Sequence, residues 1–560
     1  MTAREVLFLL VVLVLVGGGI AMYPTRQVDA LVEESPINWN SVVDDPNQKL
    51  TLSWMGVCAF PAVKEGGWIE SMLEKRFHIE LKPIHIDYNA YRYRKPLIMS
   101  GGDVPDVIWE SDIRQLRRNA EHGFIAEVPY ELIVKHAPTY VKNLNAYGRE
   151  AWLYPHYNGK NYALPTFAAS DVYPSTVIWR KDWLRKVGLG EAAPKTLNEF
   201  YEAFRRFRHD DPDGNGKKDT YGLCPSPYEP LIFMEFFTAH TLLPFDLMLR
   251  DGKVVWGGIQ PEAKQVLAML RQWYAEELIH PEYISANKLM RIPREKFRNS
   301  QTGYLSDVGQ WSFLDPTLRD GLVFKLMEMT PQAEVVYGMP PKGIDGERHW
   351  RVYGGPAHMI SFGKHVEKEP QKMIRALRMF EAFATDKKLF IESRTGRRGV
   401  HWEWTPQSGI RLIPPYDPRM VSYRQMLRFN LIENAYGFYS ASSVPLEMTN
   451  EYMSKPCLAY REKYRRREWG MMNVLGTIGV VSSAGEYWED LRLLQLTAYA
   501  EIVSGDRDLD YFDTFVSQWK KRGGDVMLRE ANELLATRTK IYRKVGIGLD
   551  EFKTSEPKAE

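Results

Sequence analysis

The side chains with the most specific chemistry lie in one short polar loop, residues 211–220. Oxygen-bearing side chains occupy its first, third, fifth and ninth positions, and Gly216 at the sixth position permits a sharp turn. Calcium prefers about six to eight oxygen ligands, and carboxylates crowded into such a loop repel one another without a cation. The spacing therefore predicts the front of an EF-hand-type loop with a structural calcium ion. The predicted ligands are Asp211, Asp213, Asn215, Lys217 (through its backbone carbonyl) and Asp219.

The end of this loop departs from the EF-hand pattern. Position twelve is Gly222 instead of a bidentate glutamate. A water, Thr220 or a distant carboxylate would then have to complete the coordination shell. The alternative is a polar turn without a metal, since Asp, Asn and Gly favour turns in any case.

A second set of candidates consists of aromatic and polar side chains that could line a ligand-binding cleft. The chain has 16 Trp, 30 Tyr and 24 Phe. Aromatic rings stack on the apolar C–H faces of sugars, and polar side chains bind the hydroxyl groups. The candidates are Trp54, Trp109, Glu110, Trp311, Tyr353, His401, Trp402 and Trp404. Plain packing is the alternative for each. Arg180 and Arg397 could pair with the carboxylate of an acidic sugar or form surface ion pairs.

Alternating strands and helices position the first of these candidates. The predicted strands are residues 50–55, 79–86 and 104–109, and the predicted helices are residues 67–77 and 88–99. Such strand–helix–strand units imply a parallel sheet with right-handed connections. Ligands of parallel sheets bind beyond the carboxyl ends of the strands. Here those ends are residues 54–60 and 109–112, which include Trp54, Trp109 and Glu110.

A second α/β block follows residue 165. Its pattern predicts a strand at 175–180, helices at 181–187, 196–208, 261–277 and 370–385, and a glycine-rich strand-like stretch at 351–362. Thr196 and Glu199 form a capping box at the start of one helix. Residues 415–550 are mostly helical. The pattern indicates two lobes crossed by more than one connection, with a helical C-terminal part that packs back over both.

The chain of 560 residues is too long for one core. The predicted segments are a signal peptide or N-terminal membrane anchor (1–22), a linker (23–48), a first lobe (49–165), a second lobe (166–350), a crossover and return (351–415), a helical C-terminal part (416–550) and a disordered tail (551–560). Arg4 and the apolar run 6–22 predict export. No cysteine directly follows that run, which excludes lipid attachment there.

Composition excludes several function classes. The net charge is +2, with 26% charged residues, and does not call for nucleic acid as a partner. Cys58, Cys224 and Cys457 stand far apart without a CxxC motif. This excludes a disulfide framework and a zinc site built from cysteines.

Several short motifs in a fixed order resemble the family 1 extracellular solute-binding proteins of bacterial ABC importers. The likeness is greatest to the large subgroup of alginate-oligosaccharide-binding and LplA-like receptors. The matching stretches are the loop 211–220, SGGDVPDV (100–107), NYALP (161–165), DGKV (251–254), WYAEELI (273–279), GVHW (399–402), IVSG (502–505) and 515–523. The subgroup's loop ends in a glutamate where this chain has Thr220.

The resemblance implies an α/β, two-lobed periplasmic-binding-protein-like fold, with parallel-rich sheets in each lobe, multiple crossover hinges and a helical C-terminal part. It implies an exported, monomeric receptor rather than an enzyme. This receptor closes on an oligosaccharide, delivers it to the membrane subunits of an ABC permease and carries calcium. Two rival hypotheses are a glycoside hydrolase or lyase that uses carboxylates such as Glu110, Glu403 and Asp307, and a ligand sensor without transport.

Overall fold

The computed structural model describes most of the chain between residues 37 and 547. The described ranges are 37–58, 68–166, 175–226, 231–283, 291–308, 321–351, 358–395, 397–405, 409–413, 455–464 and 469–547. The predicted export segment, the predicted tail, and the site candidates Trp311 and Tyr353 lie outside them. None of the helices in these ranges combines the length and apolarity that a membrane crossing requires.

Strands and helices alternate through the first half of the chain, as the sequence pattern predicts. The strands are β1 (Leu50–Cys58), β2 (Ile79–Asp87), β3 (Val107–Glu110), β4 (His156–Tyr157), β5 (Lys160–Asn161), β6 (Leu164–Pro165), β7 (Ser175–Arg180), β8 (Tyr221–Leu223), β9 (Leu247–Arg250), β10 (Lys253–Trp256), β11 (Thr302–Val308), β12 (Val335–Gly338), β13 (Trp350–Arg351), β14 (Met359–Phe362), β15 (Trp402–Thr405), β16 (Gly409–Leu412) and β17 (Gly470–Met471). The α-helices are α1 (Trp68–Phe77), α2 (Tyr88–Ser100), α3 (Ile113–Glu121), α4 (Tyr130–His136), α5 (Pro138–Gly148), α6 (Lys181–Lys186), α7 (Leu197–His209), α8 (Met234–Thr238), α9 (Pro261–Ala275), α10 (Arg291–Arg298), α11 (Leu322–Met329), α12 (Gln371–Thr385), α13 (Lys387–Thr395), α14 (Lys455–Tyr464), α15 (Ala484–Ser504), α16 (Tyr511–Trp519) and α17 (Asp525–Lys544).

The first sheet has the strand order β2-β1-β3-β14-β6. β1 pairs in parallel with both β2 and β3, so the predicted parallel sheet is confirmed. β14 joins the sheet antiparallel to β3 and to β6. The strand-like stretch at 351–362 therefore supplies a strand to the first sheet, although it follows the second lobe in the chain.

The second sheet has the order β12-β7-β11-β8. β7 pairs antiparallel with both β11 and β12, and only β8 with β11 is parallel. The expectation of a parallel-rich second sheet is therefore wrong. The side-chain pattern of a strand reports which face is buried, but it is the same for either strand direction.

Helix α7 shows how local sequence signals produce the second lobe. The Thr196 hydroxyl accepts the N–H of Glu199 at 3.2 Å, and the Glu199 carboxylate accepts the N–H of Lys195 at 2.6 Å. The predicted cap is present, with the carboxylate reaching one residue further back. Phe200, Phe204 and Phe207 repeat at helical spacing and are fully buried. They pack around Trp179, whose ring stacks on Phe204 at 5.5 Å.

The C-terminal helices contact segments from both predicted lobes. The Asn532 side chain of α17 pairs with both backbone groups of Val254 in β10, at 2.8 and 3.0 Å. Directly after the C-terminal end of α17, the Val545 carbonyl accepts a hydrogen bond from the Asn145 side chain of α5 at 2.7 Å. The C-terminal part thus packs back over both, as the sequence indicates. The segment boundaries themselves stay predictions.

The predicted linker 23–48 requires one correction, because its C-terminal end packs on the first lobe. Asp44 is buried and pairs with Arg375 of α12 at 2.7 Å. Arg375 also donates to the backbone carbonyls of Phe77 and Asp45. A buried charge is stable only when it is paired. Asp44 is therefore a fixed part of the fold instead of a tether residue.

Glu235 is a buried carboxyl in the second lobe. Its Oε1 accepts the Tyr304 hydroxyl at 2.6 Å, and the residue is 7% exposed. Burial raises the pKa of Glu235 to about 7, and the Tyr304 hydrogen bond acts in the opposite direction. A carboxyl that holds its proton more tightly in the folded than in the unfolded chain reduces stability as the pH rises.

Replacing Glu235 by glutamine is expected to flatten the pH dependence of stability. In the wild type, the free energy of unfolding should fall as the pH rises from 4.5, the ordinary pKa of glutamate, to about 7, the pKa of Glu235 in the folded protein. Over this pH range only the unfolded chain has released the proton. The fall is on the order of 3 kcal/mol. Glutamine keeps an acceptor for Tyr304 and does not titrate. Urea unfolding across this pH range measures the difference.

The matched control is Glu533→Gln on the exposed face of α17. This variant should follow the wild-type pH profile. If Glu235→Gln also followed it, the assignment of this titration to Glu235 would be wrong.

Candidate functional site

The carboxyl edge of the first sheet is the place where its long connections begin and end. β1 and β3 run toward this edge in parallel. Because Met359 lies opposite both Glu110 and Pro165, the residues that flank these strands, His358 and Thr166, lie at the same edge. The chain leaves the first sheet after Thr166 and returns at His358. This is the edge at which ligands of parallel sheets bind.

Trp54 does not lie at this edge, so its prediction as a ligand contact is wrong. The predicted strand ends at residue 55, but β1 continues to Cys58. Trp54 is therefore paired with Val107 at the beginning of β3. Its side chain is 0% exposed and packs edge-on against Phe380 of α12 at 6.1 Å.

Trp109 lies near the edge but beneath its surface. It is 2% exposed, and its ring contacts Tyr91 at 5.0 Å and His358 at 4.4 Å. The Tyr91 hydroxyl donates a hydrogen bond to the Trp109 carbonyl. The expected direct ligand contact of Trp109 is therefore corrected. The buried Trp109 ring instead packs against His358 at the edge of the sheet.

Glu110 is also corrected, because its carboxylate is 0% exposed and forms a buried ion pair with Lys95 of α2. Asn119 and Ser361 each donate a further hydrogen bond to it at 3.4 Å. Burial raises the pKa of Glu110, and the Lys95 ammonium acts in the opposite direction. The pair fastens α2 to the end of β3.

Sequence reasoning missed Thr166 and His358 at this edge. The Thr166 hydroxyl donates to the His358 carbonyl at 2.8 Å, and the backbone N–H of Thr166 donates to the same oxygen at 3.1 Å. The N–H of His358 donates to the Thr166 hydroxyl oxygen at 3.3 Å. The signal in the sequence is that each residue stands next to a predicted strand where the chain changes lobes. The contact between them spans 192 residues and could not be inferred locally.

The second sheet presents a matching edge at the beginning of β7. Ser175 of β7 lies opposite Val308, the last residue of β11. Tyr460 of α14 is 3% exposed there, and its hydroxyl oxygen accepts the N–H of Val177 at 3.4 Å. Tyr337 packs on Tyr460 at 5.5 Å. The sequence gives no local reason to choose Tyr460, because it stands inside a helical pattern.

Arg180 lies at the opposite end of β7, away from this edge. Its guanidinium is 1% exposed and pairs with Asp182 at 2.6 Å. It also donates to Ser300 at 2.7 Å. Of the two alternatives for Arg180, an ion pair is what the structure has.

The β15–β16 hairpin brings His401, Trp402 and Trp404 together. His401 Nδ1 accepts the N–H of Arg397 at 2.8 Å, and Arg398 lies over the Trp402 ring at 5.8 Å. Burial and the charge of Arg397 lower the pKa of His401. His401 and Trp402 are buried, whereas Trp404 is 39% exposed. All three stay predicted ligand contacts, with Trp404 the most accessible.

The predicted calcium loop is organised by its own hydrogen bonds. Asp211, at a φ of 46°, accepts the backbone N–H groups of Gly214, Asn215 and Gly216 at 2.9–3.1 Å. The bond from Gly216 is the main reason that the pKa of Asp211 is lowered. The Asn215 amide nitrogen lies between two carboxylates, 2.9 Å from Asp213 and 3.1 Å from Asp219. Burial, followed by the neighbouring aspartates, raises the pKa of Asp213.

The other end of the loop is held by Thr220 and Arg208, and no carboxylate of the loop itself takes part. Thr220 is 0% exposed and its hydroxyl donates to the Phe207 carbonyl at 2.7 Å, so it does not face the loop. Arg208 donates to the Lys218 carbonyl at 2.6 Å and pairs with Glu277 at 2.8 Å. Within the described ranges, no three Asp, Glu, His or Cys side chains converge as a metal site. The oxygens of this loop fit a hard cation only if the Asn215 amide turns its oxygen inward.

Two curated relatives span most of the chain. Lipoprotein LipO of Bacillus subtilis is 23% identical over 487 residues, which cover 82% of this chain and 87% of the relative. The polygalacturonan/rhamnogalacturonan-binding protein YtcQ of Bacillus subtilis is 23% identical over 532 residues, or 94% of this chain and 97% of the relative. No family model matches the chain.

Solved structures show the same fold. A human-milk-oligosaccharide-binding solute-binding protein of Bifidobacterium longum infantis superposes with a TM-score of 0.61 at 16% identity, over 88% of this chain and 98% of the other. The alginate-binding protein AlgQ2, in a structure without calcium, superposes with a TM-score of 0.59 at 17% identity, over 88% and 99%. The two-lobed α/β fold and the resemblance to ABC-transporter solute-binding proteins are thus confirmed.

Replacing Lys95 by methionine is expected to destabilise the fold by about 3–5 kcal/mol, because it leaves the Glu110 carboxylate buried without its partner. Adding Glu110→Gln to the same chain should restore much of the loss, since the uncompensated charge is then gone. Urea unfolding of the two single variants and the double variant measures this coupling.

Lys82→Met is the matched control, because Lys82 pairs with Glu80 at the surface, where its side chain is 60% exposed. It should change stability little. Equal losses at Lys95 and Lys82 would contradict the structural role of the buried pair.

Proposed function

We propose that this chain, a homologue of ABC-transporter solute-binding proteins, is the extracytoplasmic receptor of an importer that binds an oligosaccharide. The observation that carries the proposal is the alignment with YtcQ, which runs through 94% of this chain and 97% of that protein. So complete an overlap includes both lobes and the C-terminal helices. The ligand lies against the carboxyl edge of the first sheet and shifts the protein toward a closed state by its higher affinity for that state.

The β15–β16 hairpin favours an acidic sugar. Arg397 and Arg398 are both exposed at its beginning, and Arg398 lies over the Trp402 ring at 5.8 Å, while Trp404 is the accessible ring of the hairpin. Residues 397–413 contain three arginines and one acidic residue, Glu403, which pairs with Arg411 at 3.7 Å. An indole stacks on a sugar ring while guanidinium groups bind its carboxylates, often in a bidentate manner. The relative YtcQ is named as a polygalacturonan- and rhamnogalacturonan-binding protein, which agrees with this ligand class.

The rival glycosidase hypothesis lacks support from Glu110. A glycosidase needs two carboxyl groups about 5–9.5 Å apart that face a substrate. Glu110 is buried and neutralised by Lys95. The curated relatives and the solved structures named above are binding proteins or lipoproteins by name.

The receptor is exported to the periplasm or the cell surface, and the name of the lipoprotein relative agrees with a place at the membrane. It works as a monomer, with the membrane subunits of an ABC permease as its protein partner. The apolar run 6–22 is its signal peptide or anchor.

A calcium ion in the loop 211–220 is part of the same proposal. It is held by Asp211, Asp213, Asn215, Asp219 and the carbonyl of Lys217. Its role is structural, since the loop connects α7 with β8 in the second lobe. Because Thr220 faces inward, the loop has one ligand fewer than a glutamate at this position would provide. The affinity should therefore fall in the weak range of extracellular modules, a Kd of about 10⁻⁴–10⁻³ M.

Trigalacturonic acid is expected to bind the exported chain and raise its melting temperature, and neutral kestose should bind more weakly. Arg397→Ala with Arg398→Ala should weaken binding of the acid about tenfold or more, because charge-assisted hydrogen bonds are lost, and should leave kestose binding unchanged. Isothermal titration calorimetry measures both ligands.

Two tryptophan variants serve as controls. Trp404→Ala should weaken both ligands roughly three- to tenfold, whereas Trp404→Phe keeps a stacking ring and should retain most of the affinity. The proposal fails if no member of a panel of acidic and neutral oligosaccharides shifts the melting temperature at millimolar concentration.

Millimolar calcium is expected to raise the melting temperature of the wild type, and EDTA should reverse the effect. Asp213→Asn should abolish the shift, because it removes a carboxylate beside the Asn215 amide. Asp508→Asn, at an exposed site in another loop, is the control and should keep the shift. Identical melting curves for wild type and Asp213→Asn with calcium would exclude the ion from this loop.

A further inference from the structure

Helix α14 lies on the second sheet at the edge where β7 begins. The hydroxyl oxygen of its buried Tyr460 lies 3.4 Å from the backbone nitrogen of Val177, the third residue of β7, and accepts its N–H. Tyr337 of β12 packs edge-on against the Tyr460 ring at 5.5 Å. These contacts fix the helix on the sheet, so the side chains that follow Tyr460 in α14 have a defined place at this edge.

The length of the chain between the two sheets limits how far this edge can lie from the ligand edge of the first sheet. Thr166 lies at the carboxyl edge of the first sheet, and Ser175 begins β7 nine residues later. An extended chain advances at most about 3.3–3.6 Å per residue, so these two residues are at most about 32 Å apart. Tyr460 contacts the chain two residues beyond Ser175. The edge that carries α14 is therefore tied to the ligand edge of the first sheet.

Two side chains of α14 next to Tyr460 are accessible. One residue advances about 100° around an α-helix, so Tyr464 lies about 40° to one side of Tyr460 and Lys463 about 60° to the other. The Tyr464 ring packs on the Tyr460 ring at 4.9 Å and is half-buried, whereas Lys463 is exposed. The Lys463 ammonium lies 4.9 Å from the centre of the Tyr464 ring. An aromatic face and a positive charge thus stand side by side.

The charge of α14 is positive, and it is not neutralised at Lys463. The helix contains three basic residues and one acidic residue, Glu462. Glu462 lies about 160° around the helix from Tyr460 and so faces away from the sheet. Among the described residues, the contact of the Lys463 ammonium is the Tyr464 ring and not a carboxylate. An exposed cation–π contact is weak, so the ammonium can turn toward an anionic ligand.

A tyrosine ring beside an ammonium group suits one class of sugar. A uronic acid residue has a C–H face, which stacks on an aromatic ring, and a carboxylate, which binds a cation by charge-assisted hydrogen bonds. A neutral sugar could use the ring but would gain nothing from the charge. The pair of Lys463 and Tyr464 therefore favours the acidic residues of an oligosaccharide. This selection does not depend on the β15–β16 hairpin, because it rests on other residues.

We propose that Lys463 and Tyr464 are specificity-determining residues of the second lobe, which bind the carboxylate and the C–H face of one uronic acid residue of the ligand. This inference rests on the proposed function, because it assumes that an acidic oligosaccharide binds between the two sheet edges. Tyr460 holds the helix in place beneath both residues. The second lobe then recognises the ligand by its charge as well as by its shape.

The test measures binding of trigalacturonic acid by isothermal titration calorimetry at physiological ionic strength. Lys463→Met, which keeps the apolar stem but loses the charge, should weaken binding roughly three- to tenfold. Lys463→Arg keeps the charge and should retain most of the affinity. Binding of neutral kestose should be the same in Lys463→Met and the wild type, because kestose has no carboxylate.

Variants of Tyr464 test the ring. Tyr464→Ala should weaken binding of both sugars roughly three- to tenfold, and Tyr464→Phe should retain most of the affinity, because it keeps the stacking face. Lys455→Met, at the exposed first residue of α14, is the matched control for the loss of a lysine charge and should bind like the wild type. If Tyr464→Ala does not fold, the exposed Lys463 still carries the test.

A labelling experiment locates the ligand without any substitution. Lysines of the wild type are acetylated with and without trigalacturonic acid, and mass spectrometry measures the extent of reaction at each site. The sugar should protect Lys463 and leave Lys455 as reactive as before. Equal reactivity of Lys463 with and without the bound sugar would overturn the assignment.

The outcomes separate this assignment from the proposed function. If the wild type binds trigalacturonic acid and Lys463→Met binds it equally well, the specificity role of α14 is wrong, while the receptor proposal stands. If the wild type binds only neutral oligosaccharides, the receptor proposal also stands and the selection of charge by Lys463 is overturned. If the wild type binds no member of the panel, the receptor proposal fails, and the role of α14 fails with it.

Discussion

The parallel pairing of β1 between β2 and β3 is the constraint on which the rest of the structure depends. Parallel strands direct all their carboxyl ends to one edge of the sheet, and each connection must begin there. β14 and β6 enter on the far side of β3 and carry His358 and Thr166 to the same edge. The chain can then cross to the second sheet and return through neighbouring points.

Buried ion pairs fix the elements around this edge. Lys95 with Glu110 holds α2 on β3, Arg351 with Asp246 anchors the returning chain, and Arg375 with Asp44 binds the N-terminal stretch to α12. Such pairs add little net stability, because desolvation of the charges offsets most of their attraction. Their effect is on geometry, since a charge buried in the wrong place has no partner. The apolar core supplies the stability, and these pairs select one arrangement of it.

The calcium loop illustrates how a motif and its surroundings can diverge. The Asp, Asn and Gly residues form the turn because Asp211 collects three backbone N–H groups and two glycines adopt positive φ angles. The inward Thr220 and the Arg208 guanidinium then close the loop by contacts that involve no metal ion. The loop therefore keeps its shape by itself, and a bound ion would add to a structure that is already ordered. This differs from a site in which the metal alone brings the carboxylates together.

The sequence by itself determined the secondary elements of the first lobe, the parallel direction of its first strands, the cap of α7 and the composition of the polar loop. These features follow from local periodicity and from side chains a few residues apart. The resemblance of ordered motifs also indicated the fold and the class of protein. The sequence also singled out the aromatic residues around Trp404 as candidate ligand contacts, because helical packing does not explain aromatic side chains in a predicted loop.

Only the tertiary structure decided which of the candidate residues are buried and which are accessible. Trp54 was misplaced because β1 continues three residues beyond the predicted strand end, which moves it into the core. Glu110 was misjudged because its partner, Lys95, comes from the face of a neighbouring helix. The antiparallel pairing of β7 with β11 depends on segments more than a hundred residues apart in the chain. The same is true of the contact between Thr166 and His358. Periodicity reports which face of an element is buried, but the partner of that face depends on packing among distant segments.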